Sequence, residues 1–383
     1  MHNHRILCHK HIVFGAEHYN PLGLVRSLGE ENIPVIAVII KNQTSLTSAS
    51  KYISDLYIVD DIDSGFSLII EKFSDEEYKP FIYTSDDVIT SLLDVNYEQL
   101  KEKFYFFNAN CAGRITTFQD KNTINQLAIK HGLNVAQAVV VNRGEIPNNI
   151  QYPIITKAIA STKGAWKQDV FICKSESELI EAYAKIKSDV LLLQQYITKK
   201  NELCIDGFSI NQGKDVFYAI ASNYKYILPD TYSSYMTVFN SGNEDLHKKL
   251  TSMFSEIGFE GIFSVEFLVG ANGELYFCEI NFRNSTWSYA ATCAGMNLPV
   301  LWAKSTIDKK IDKNDYSLVP PDFTAIVEVS DYYIRVKGKK IGIVNWIKDV
   351  KRANCRYFIG KKDIMPVVSF LISMVKKRIG RKK

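Results

Sequence analysis

The sequence lacks the cysteine arrangement of a disulfide-stabilised secreted protein. Its seven cysteines are an odd number, and no two of them form a Cys-x-x-Cys pair. This argues against a disulfide framework and favours a reducing compartment. The first residues, rich in histidine, contain no apolar segment of the kind found in a signal peptide. We therefore expect a cytoplasmic protein.

The sequence also has no large excess of positive or negative charge and no long apolar run. The net charge is +4, and the last eight residues carry six basic groups and no acidic one. The rest of the chain is therefore slightly acidic, which excludes a generally basic, nucleic-acid-binding protein. Residues 364–375 are mostly apolar, but the run is interrupted by Pro366 and is too short to span a bilayer. With the basic cluster behind it, this tail is either a contact for an anionic membrane surface or a packed helix with a charged end.

The N-terminal region alternates apolar, strand-like runs with a segment of helical spacing, and this order predicts a doubly wound α/β unit. Its first loop offers only Gly15 and Gly23, which is not the dinucleotide fingerprint, so no nicotinamide cofactor is expected. A later strand, 79–83, ends in Thr-Ser-Asp-Asp. Asp86 there either touches a ligand or caps the next helix, and capping is the favoured interpretation.

The most informative stretch, 262–283, predicts a β-hairpin. Asn272-Gly273 is typical of a two-residue turn, because both positions of such a turn need positive φ angles. Side-chain alternation assigns the apolar residues, Cys278 among them, to the core face. The register predicted by that turn has three cross-strand pairs on which the argument depends: Glu266 with Glu279, Ser264 with Asn281, and Leu268 with Phe277.

Two opposed carboxylates destabilise a sheet unless something neutralises them. A hard cation does so, and Mg²⁺ is usually held by one or two carboxylates together with substrate phosphates. Glu266 and Glu279, with the amide oxygen of Asn281, therefore form a candidate Mg²⁺ (or Mn²⁺) site. Two unlinked glutamates on a solvated face, or one protonated glutamate, is the alternative.

Glu266, with Glu279 and Asn281 in a Glu-Ile-Asn-Phe-Arg run, resembles the metal-binding signature of the ATP-grasp superfamily. Members include D-alanine–D-alanine ligase, biotin carboxylase, carbamoyl-phosphate synthetase and D-aspartate ligase. The resemblance covers residues 114–305 and, more loosely, the N-terminal region. It implies an α/β fold, with an N-terminal Rossmann-like pre-ATP-grasp domain and a two-lobed α+β ATP-grasp domain. The implied bounds are 1–113 for the first domain, 114–310 for the second with its lid near 150–197, and 311–383 for a C-terminal segment with the basic tail.

Other motifs resemble the nucleotide-binding parts of that superfamily. Lys121, in an Asp-Lys pair before a helix, would contact ATP phosphates, and Lys157 at a strand end would contact the α and β phosphates. The loop after Lys157 resembles the glycine-rich phosphate loop through Ser161 and Gly164, although it has one glycine only. The run 190–197 resembles the hinge whose backbone pairs with adenine; an ordinary strand end is the alternative. The residues implied for adenine and ribose are Gln194, Gln195, Tyr196, Ile197 and Glu202.

The resemblance implies an ATP-dependent carboxylate–amine ligase that works through an acyl phosphate. Arg283, two residues beyond Asn281, and Lys157 are the implied catalytic residues, since fixed cations suit a developing anionic charge. The tyrosine-rich segment 222–242 is expected to be a long loop covering the phosphates or the second substrate. By analogy with D-aspartate-ligase-like and polysaccharide-associated members, the acid would be an amino acid or a sugar acid. A phosphotransferase, a non-catalytic ATP-binding protein and a homo-oligomeric state stay open.

Overall fold

The computed structural model describes residues 5–148, 150–158, 169–228, 232–360 and 362–380, without the side chains of 378–380. The predicted loop residues Ser161 and Gly164 lie outside the described residues. Within that part of the chain the strands form three sheets.

The first sheet is parallel and four-stranded, in the order β3-β2-β1-β4. Each strand is followed by a helix or short turn, as expected for a doubly wound unit. Because β1 lies between β2 and β4, the chain reverses its winding direction there, and the carboxyl ends of β1 and β4 flank the crevice where ligands bind in open α/β sheets. Its elements are β1 (His11–Ala16), α1 (Tyr19–Glu30), β2 (Val35–Ile40), β3 (Ile53–Val59), α2 (Ile62–Phe73), β4 (Phe81–Tyr83), α3 (Asp87–Val95) and α4 (Tyr97–Leu100).

A second, antiparallel sheet has the order β5-β8-β6-β7 and its own small core, which includes Ile154, Leu179 and Leu193. It begins earlier in the chain than the expected lid. Two helices precede it in the chain, and a third lies between β7 and β8 in the sequence. The elements are α5 (Arg114–Phe118), α6 (Lys121–Lys130), β5 (Ala138–Asn142), β6 (Ile154–Ala158), β7 (Ile172–Cys173), α7 (Glu176–Tyr183) and β8 (Val190–Gln195).

The third sheet has seven strands in the order β13-β12-β9-β10-β11-β14-β15, and only β14 and β15 run parallel. One core cluster joins this sheet to the first sheet, with Val13, Phe81, Phe263 and Trp302 among its members. The elements are β9 (Asn201–Ile210), β10 (Asp215–Tyr224), β11 (Tyr235–Phe239), α8 (Glu244–Ile257), β12 (Gly261–Val269), β13 (Leu275–Asn281), α9 (Ser288–Cys293), α10 (Leu298–Asp308), β14 (Thr324–Ile326) and β15 (Cys355–Arg356).

The expectation of a long unstructured loop over 222–242 is wrong. Strand β10 continues to Tyr224, and residues 235–239 form β11, which pairs with β10 on one side and β14 on the other. Tyr235 and Met236 are buried in this sheet. The tyrosines that suggested a polar loop are therefore partly sheet residues, since aromatic side chains also suit strands.

The C-terminal segment is fastened to the body by buried charges. Arg26 on α1 forms an ion pair with Asp363 (Nε to Oδ2, 3.0 Å), and both side chains are almost fully buried. The guanidinium also donates to the backbone carbonyls of Tyr357 and Phe358. The segment's helices are α11 (Glu328–Asp331), which continues into a π-helical stretch at Tyr332–Lys337, α12 (Ile343–Arg352) and α13 (Met365–Gly380).

The apolar tail forms the helix α13. Pro366 is the second residue of this helix and so begins it instead of interrupting it, because proline's fixed φ and missing N–H suit the first helical turn. None of the helices in the described part of the chain has the length and apolar content that crossing a membrane requires.

Candidate active site

The predicted hairpin is present, with two of its three expected cross-strand pairs. Glu266 on β12 faces Glu279 on β13, and Ser264 faces Asn281. The register then shifts next to Glu266, so that Phe267, not Leu268, faces Phe277. Cys278 is the extra residue of this bulge. The shift lets Glu279 stay opposite Glu266, although the strands follow another register nearer the turn.

The prediction of a two-residue turn is wrong. Strand β12 ends at Val269 and β13 starts at Leu275; the backbone N–H of Gly270 donates to the carbonyl of Glu274 (2.8 Å). Of the two expected turn residues only Gly273 has a positive φ, of 88°. The assignment of Cys278 to the core is also wrong. Phe277 is buried in its place, and Cys278 lines a cavity.

That cavity has a volume of about 380 Å³ and lies between the hairpin and the second sheet. It brings together six of the predicted site residues, which are separated in the sequence by as many as 158 positions. They are Lys121, Lys157, Gln194, Glu202, Glu266 and Glu279. Asn125, Leu192 and Cys278, which the sequence did not assign to the site, also line it.

Lys121 reaches the cavity from the start of α6. Asp120 caps this helix by accepting from the backbone N–H of Thr123 (2.8 Å). The ammonium group of Lys121 donates to Glu279 (Nζ to Oε2, 3.2 Å). Burial acts to lower the pKa of Lys121, but the charge and hydrogen bond of Glu279 outweigh it, so the pKa is raised. Lys121 is thus a fixed cation beside the proposed metal ligands.

Glu266 lies on the cavity floor in an environment that disfavours its charge. Burial raises its pKa, and the nearby carboxylates of Glu279 and Glu202 raise it further. Its Oε1 accepts from the amide of Asn281 (2.8 Å). A divalent cation would compensate this crowding of carboxylates. No group of three or more His, Cys, Asp or Glu side chains suited to a metal occurs in the described residues; since Mg²⁺ needs only one or two carboxylates beside phosphate oxygens, Glu266 and Glu279 fit that ion.

Lys157 enters the cavity from β6 and donates to the side-chain carbonyl of Gln194 (2.6 Å). Burial lowers the pKa of Lys157, and the charge of Lys121 lowers it further. A nearby anion would reverse this shift because it stabilises the ammonium form. Cys278 is close to Lys157, but desolvation at the cavity raises the pKa of its thiol to about 12, so the thiol is protonated at neutral pH.

The expected adenine-binding hinge is only partly at the cavity. Gln194 lines it, whereas Gln195, Tyr196 and Ile197 are not among its lining residues. The backbone N–H groups of Gln195 and Tyr196 are already used, since they donate to the carbonyls of Gln137 (2.7 Å) and Pro153 (2.8 Å). These two groups are therefore not free for a purine base.

Glu202 stands at the wall of the cavity at the start of β9. It accepts from Lys199 (Nζ to Oε1, 2.6 Å) and from the hydroxyl of Tyr224, while Lys199 also lies over the Tyr224 ring. Burial and the adjacent Glu202 raise the pKa of Tyr224, so its hydroxyl remains a donor. This network fixes the orientation of Glu202, which was the residue predicted for the ribose.

Arg283 does not extend freely into the site. Its guanidinium donates to both carboxylate oxygens of Asp87 and to the amide oxygen of Asn281 (3.0 Å). Burial acts to lower its pKa, but Asp87 outweighs burial and raises it. These residues line a second cavity of about 180 Å³, which shares Lys121 and Glu279 with the first.

This second cavity lies at the predicted strand end of the first sheet. Asp86 caps α3 through the backbone N–H groups of Val88 and Ile89, which confirms the favoured interpretation. Its neighbour Asp87, which was not singled out, is the residue that reaches Arg283. His18 follows β1, and burial together with the charge of Arg283 lowers its pKa to about 4. It is therefore neutral at physiological pH.

Solved structures resemble this chain over most of its length. The L-amino acid ligase of Bacillus licheniformis has a TM-score of 0.61 at 14% identity, over 82% of this chain and 78% of its own. The N5-carboxyaminoimidazole synthetase of Staphylococcus aureus has a TM-score of 0.58 at 14% identity, over 86% and 85%. The biotin carboxylase domain of Hydrogenobacter thermophilus 2-oxoglutarate carboxylase, a dimer with MgADP and bicarbonate, has 0.62 at 16%, over 81% and 72%.

The chain has the ATP-grasp fold. This confirms the predicted fold class, with a parallel sheet leading into the two remaining sheets between which the larger cavity lies. No protein-family model and no curated protein sequence matches the chain. In the ATP-grasp fold of this chain, the two opposed glutamates and the two lysines meet at one cavity.

Proposed function

We propose that this protein is an ATP-dependent carboxylate–amine ligase. The observation that carries the proposal is the cavity at which Lys121, Lys157, Glu266 and Glu279 meet. Opposed carboxylates flanked by lysines are what a magnesium–triphosphate complex requires. The L-amino acid ligase, the N5-carboxyaminoimidazole synthetase and the biotin carboxylase domain with this fold support the reaction class.

The reaction has two steps. A carboxylate oxygen of the acid attacks the γ-phosphorus of ATP, the bond to the bridging oxygen breaks, and ADP leaves. An amine then attacks the acyl carbon, the bond to the phosphate oxygen breaks, and inorganic phosphate leaves while the amine loses a proton. Phosphoryl transfer depends mainly on positioning and charge neutralisation, so no nucleophilic side chain is required.

The side chains of this chain supply positioning and charge. Lys157 and Lys121 would hold the phosphates, with Lys157 exchanging its bond to Gln194 for a phosphate oxygen. Glu266 and Glu279 would hold Mg²⁺, which when bound neutralises phosphate charge. Glu202, already oriented by Lys199 and Tyr224, would accept from the ribose.

The acid would bind where the two cavities meet. The smaller cavity opens between Lys121, Glu279 and Arg283, and it is also lined by Asp87, the first residue of α3. A carboxylate placed there would be close to the proposed phosphate site and to Arg283, whose guanidinium is held in place by Asp87. This supports an acid of small size, such as an amino acid or a sugar acid.

The test is ADP release from MgATP over a panel of carboxylic acids, with and without pooled amines. We expect release that depends on both an acid and an amine and that yields an amide. A stable phosphorylated product formed without any amine would instead establish a phosphotransferase. ATP binding without turnover for every pair, including the amino and sugar acids, would contradict the ligase.

A further inference from the structure

A second surface is formed by α13, which is remote in sequence from the cavity between the hairpin and the second sheet. This helix, Met365–Gly380, has apolar residues on two sides. On one side Val367 and Phe370 pack against the core, and the Phe370 ring meets Phe358 edge-on at 5.1 Å. The hydroxyl of Ser373 accepts from the backbone N–H of Ser45 (3.3 Å), which fixes the helix on the body.

The opposite side of α13 is apolar and uncovered. Leu371, Ile372 and Val375 are 57%, 50% and 58% exposed, and Val368 precedes them at 37%. These four follow the spacing i, i+3, i+4, i+7, so they share one helix face. A helix that is apolar on all sides is normally buried. Packing on the body buries the face of α13 that carries Val367 and Phe370. No described residue covers the opposite face.

Positive charge adjoins this face. Lys376 and Lys377 are exposed and directly follow Val375. The sequence then continues with Arg378, Arg381 and two terminal lysines, and no acidic residue occurs after Asp363. A second copy of the chain would bring two such clusters together and repel itself. The positive charge therefore favours an anionic partner. The apolar face favours a partner with an apolar region in which these side chains can be buried.

We propose that α13 binds the surface of an anionic lipid bilayer. The exposed face would enter the boundary between headgroups and acyl chains, and the lysines would contact the lipid phosphates, as in other amphipathic helices that lie in the interface. The helix is too short to cross the bilayer, so it would lie in the plane of the surface. Because the packed side of α13 stays on the body, the whole protein would be held at the membrane.

The experiment is co-sedimentation of the full-length protein with vesicles of phosphatidylcholine alone or with added phosphatidylglycerol. We expect binding to the anionic vesicles only. The variant Leu371→Ser/Ile372→Ser/Val375→Ser should lose this binding, and Lys376→Gln/Lys377→Gln should weaken it by roughly fivefold for each lysine. The matched control is Val95→Ser/Ile129→Ser/Ile180→Ser, which changes equally exposed apolar residues on other helices and should bind like the unchanged protein.

Three results would overturn the proposal. One is failure of the unchanged protein to bind anionic vesicles. A second is binding that the substitutions on α13 leave intact. The third is a dimer, seen by sedimentation velocity without lipid, that dissociates in the serine variant, because the face would then belong to a second copy. Equal melting temperatures of the two serine variants would show that α13 is still folded on the body. Retained ADP release in the α13 variants would separate this surface from the active site.

Discussion

Asp87 holds Arg283 with both of its carboxylate oxygens, at 2.7 Å from Nε and 2.8 Å from Nη2. The two residues are 196 positions apart and join the start of α3, which follows the first sheet, to the end of the β12–β13 hairpin. A bidentate pair fixes the plane of the guanidinium as well as its position. The contact thus determines where this cation stands relative to Asn281 and Glu279.

A double-mutant cycle should reveal this coupling. We expect Asp87→Ala and Arg283→Ala to lower the free energy of unfolding non-additively, with a coupling of about 1 kcal/mol, modest because the Asp87 side chain is 37% exposed. Urea denaturation measures it. The control pair is Arg143 with Asp189, an exposed ion pair that should show almost no coupling. Additive effects at Asp87 and Arg283 would contradict the prediction.

Replacing Glu279 by Gln should remove the activity. The amide keeps the shape but lacks the negative charge that pairs with Lys121 and that a cation would need. We expect ADP release to fall by on the order of 100-fold, as when one electrostatic contact to a transition state is lost. Glu274→Gln, on the turn of the same hairpin, is the matched control and should retain activity. Full activity in Glu279→Gln would rule out the metal site.

Asp206 predicts an unusual pH dependence of stability. It is fully buried, accepts from the hydroxyls of Ser285 and Ser288, and burial raises its pKa to about 6. The folded chain therefore keeps this proton up to about pH 6, whereas the unfolded chain releases it near pH 4. The free energy of unfolding therefore falls as the pH rises from about 4 to about 6. Compared with the Asp206→Asn variant, the unchanged protein should lose about 3 kcal/mol of its free energy of unfolding over this pH range.

Urea denaturation of both proteins at pH 4 and pH 7 tests this expectation. The exposed Asp189→Asn variant is the control and should show no such difference between the two pH values. A stability difference between Asp206→Asn and the unchanged protein that is the same at both pH values would mean that burial does not raise the pKa of Asp206.

Removing Asp363 should destabilise the protein strongly. Its carboxylate accepts from Arg26, from the hydroxyl of Ser50 and from the backbone N–H of Lys51, all at buried or part-buried positions. Asp363→Ala leaves the Arg26 charge buried, and we expect a loss of about 3–5 kcal/mol. Asp308→Ala breaks the exposed pair with Arg5 and should cost less than about 1 kcal/mol. Thermal and urea unfolding of both variants would compare them, and equal losses would contradict the argument.

The hairpin shows how far the sequence could be interpreted. The register of the expected turn at Asn272-Gly273 predicted that Glu266 faces Glu279, and this pairing is present. The turn and the bulge at Cys278 were both missed, and their effects on the register cancel. Neither can be derived from periodicity, because a bulge depends on how neighbouring strands pack against the pair.

Contacts between segments that are distant in the sequence were the second feature that sequence patterns could not predict. Lys121 and Lys157 could be predicted because each belongs to a motif of its own. The structure brings both of them to one cavity. Asp87 was missed because the pattern Thr-Ser-Asp-Asp identifies a helix cap, which its neighbour Asp86 indeed provides. Only the fold brings Asp87 to Arg283. Segment 222–242 was misjudged because its polar residues and tyrosines masked the strand β11.

The bond between Arg26 and Asp363 also has a consequence for biosynthesis. The two residues are 337 positions apart, so the partner of a buried arginine on the first helix is synthesised long after that helix. N-terminal regions generally fold first during synthesis. Here the N-terminal sheet can assemble early, but α1 cannot reach its final packing until the C-terminal segment has been made. Completion of the N-terminal region therefore depends on residues that are made long after it.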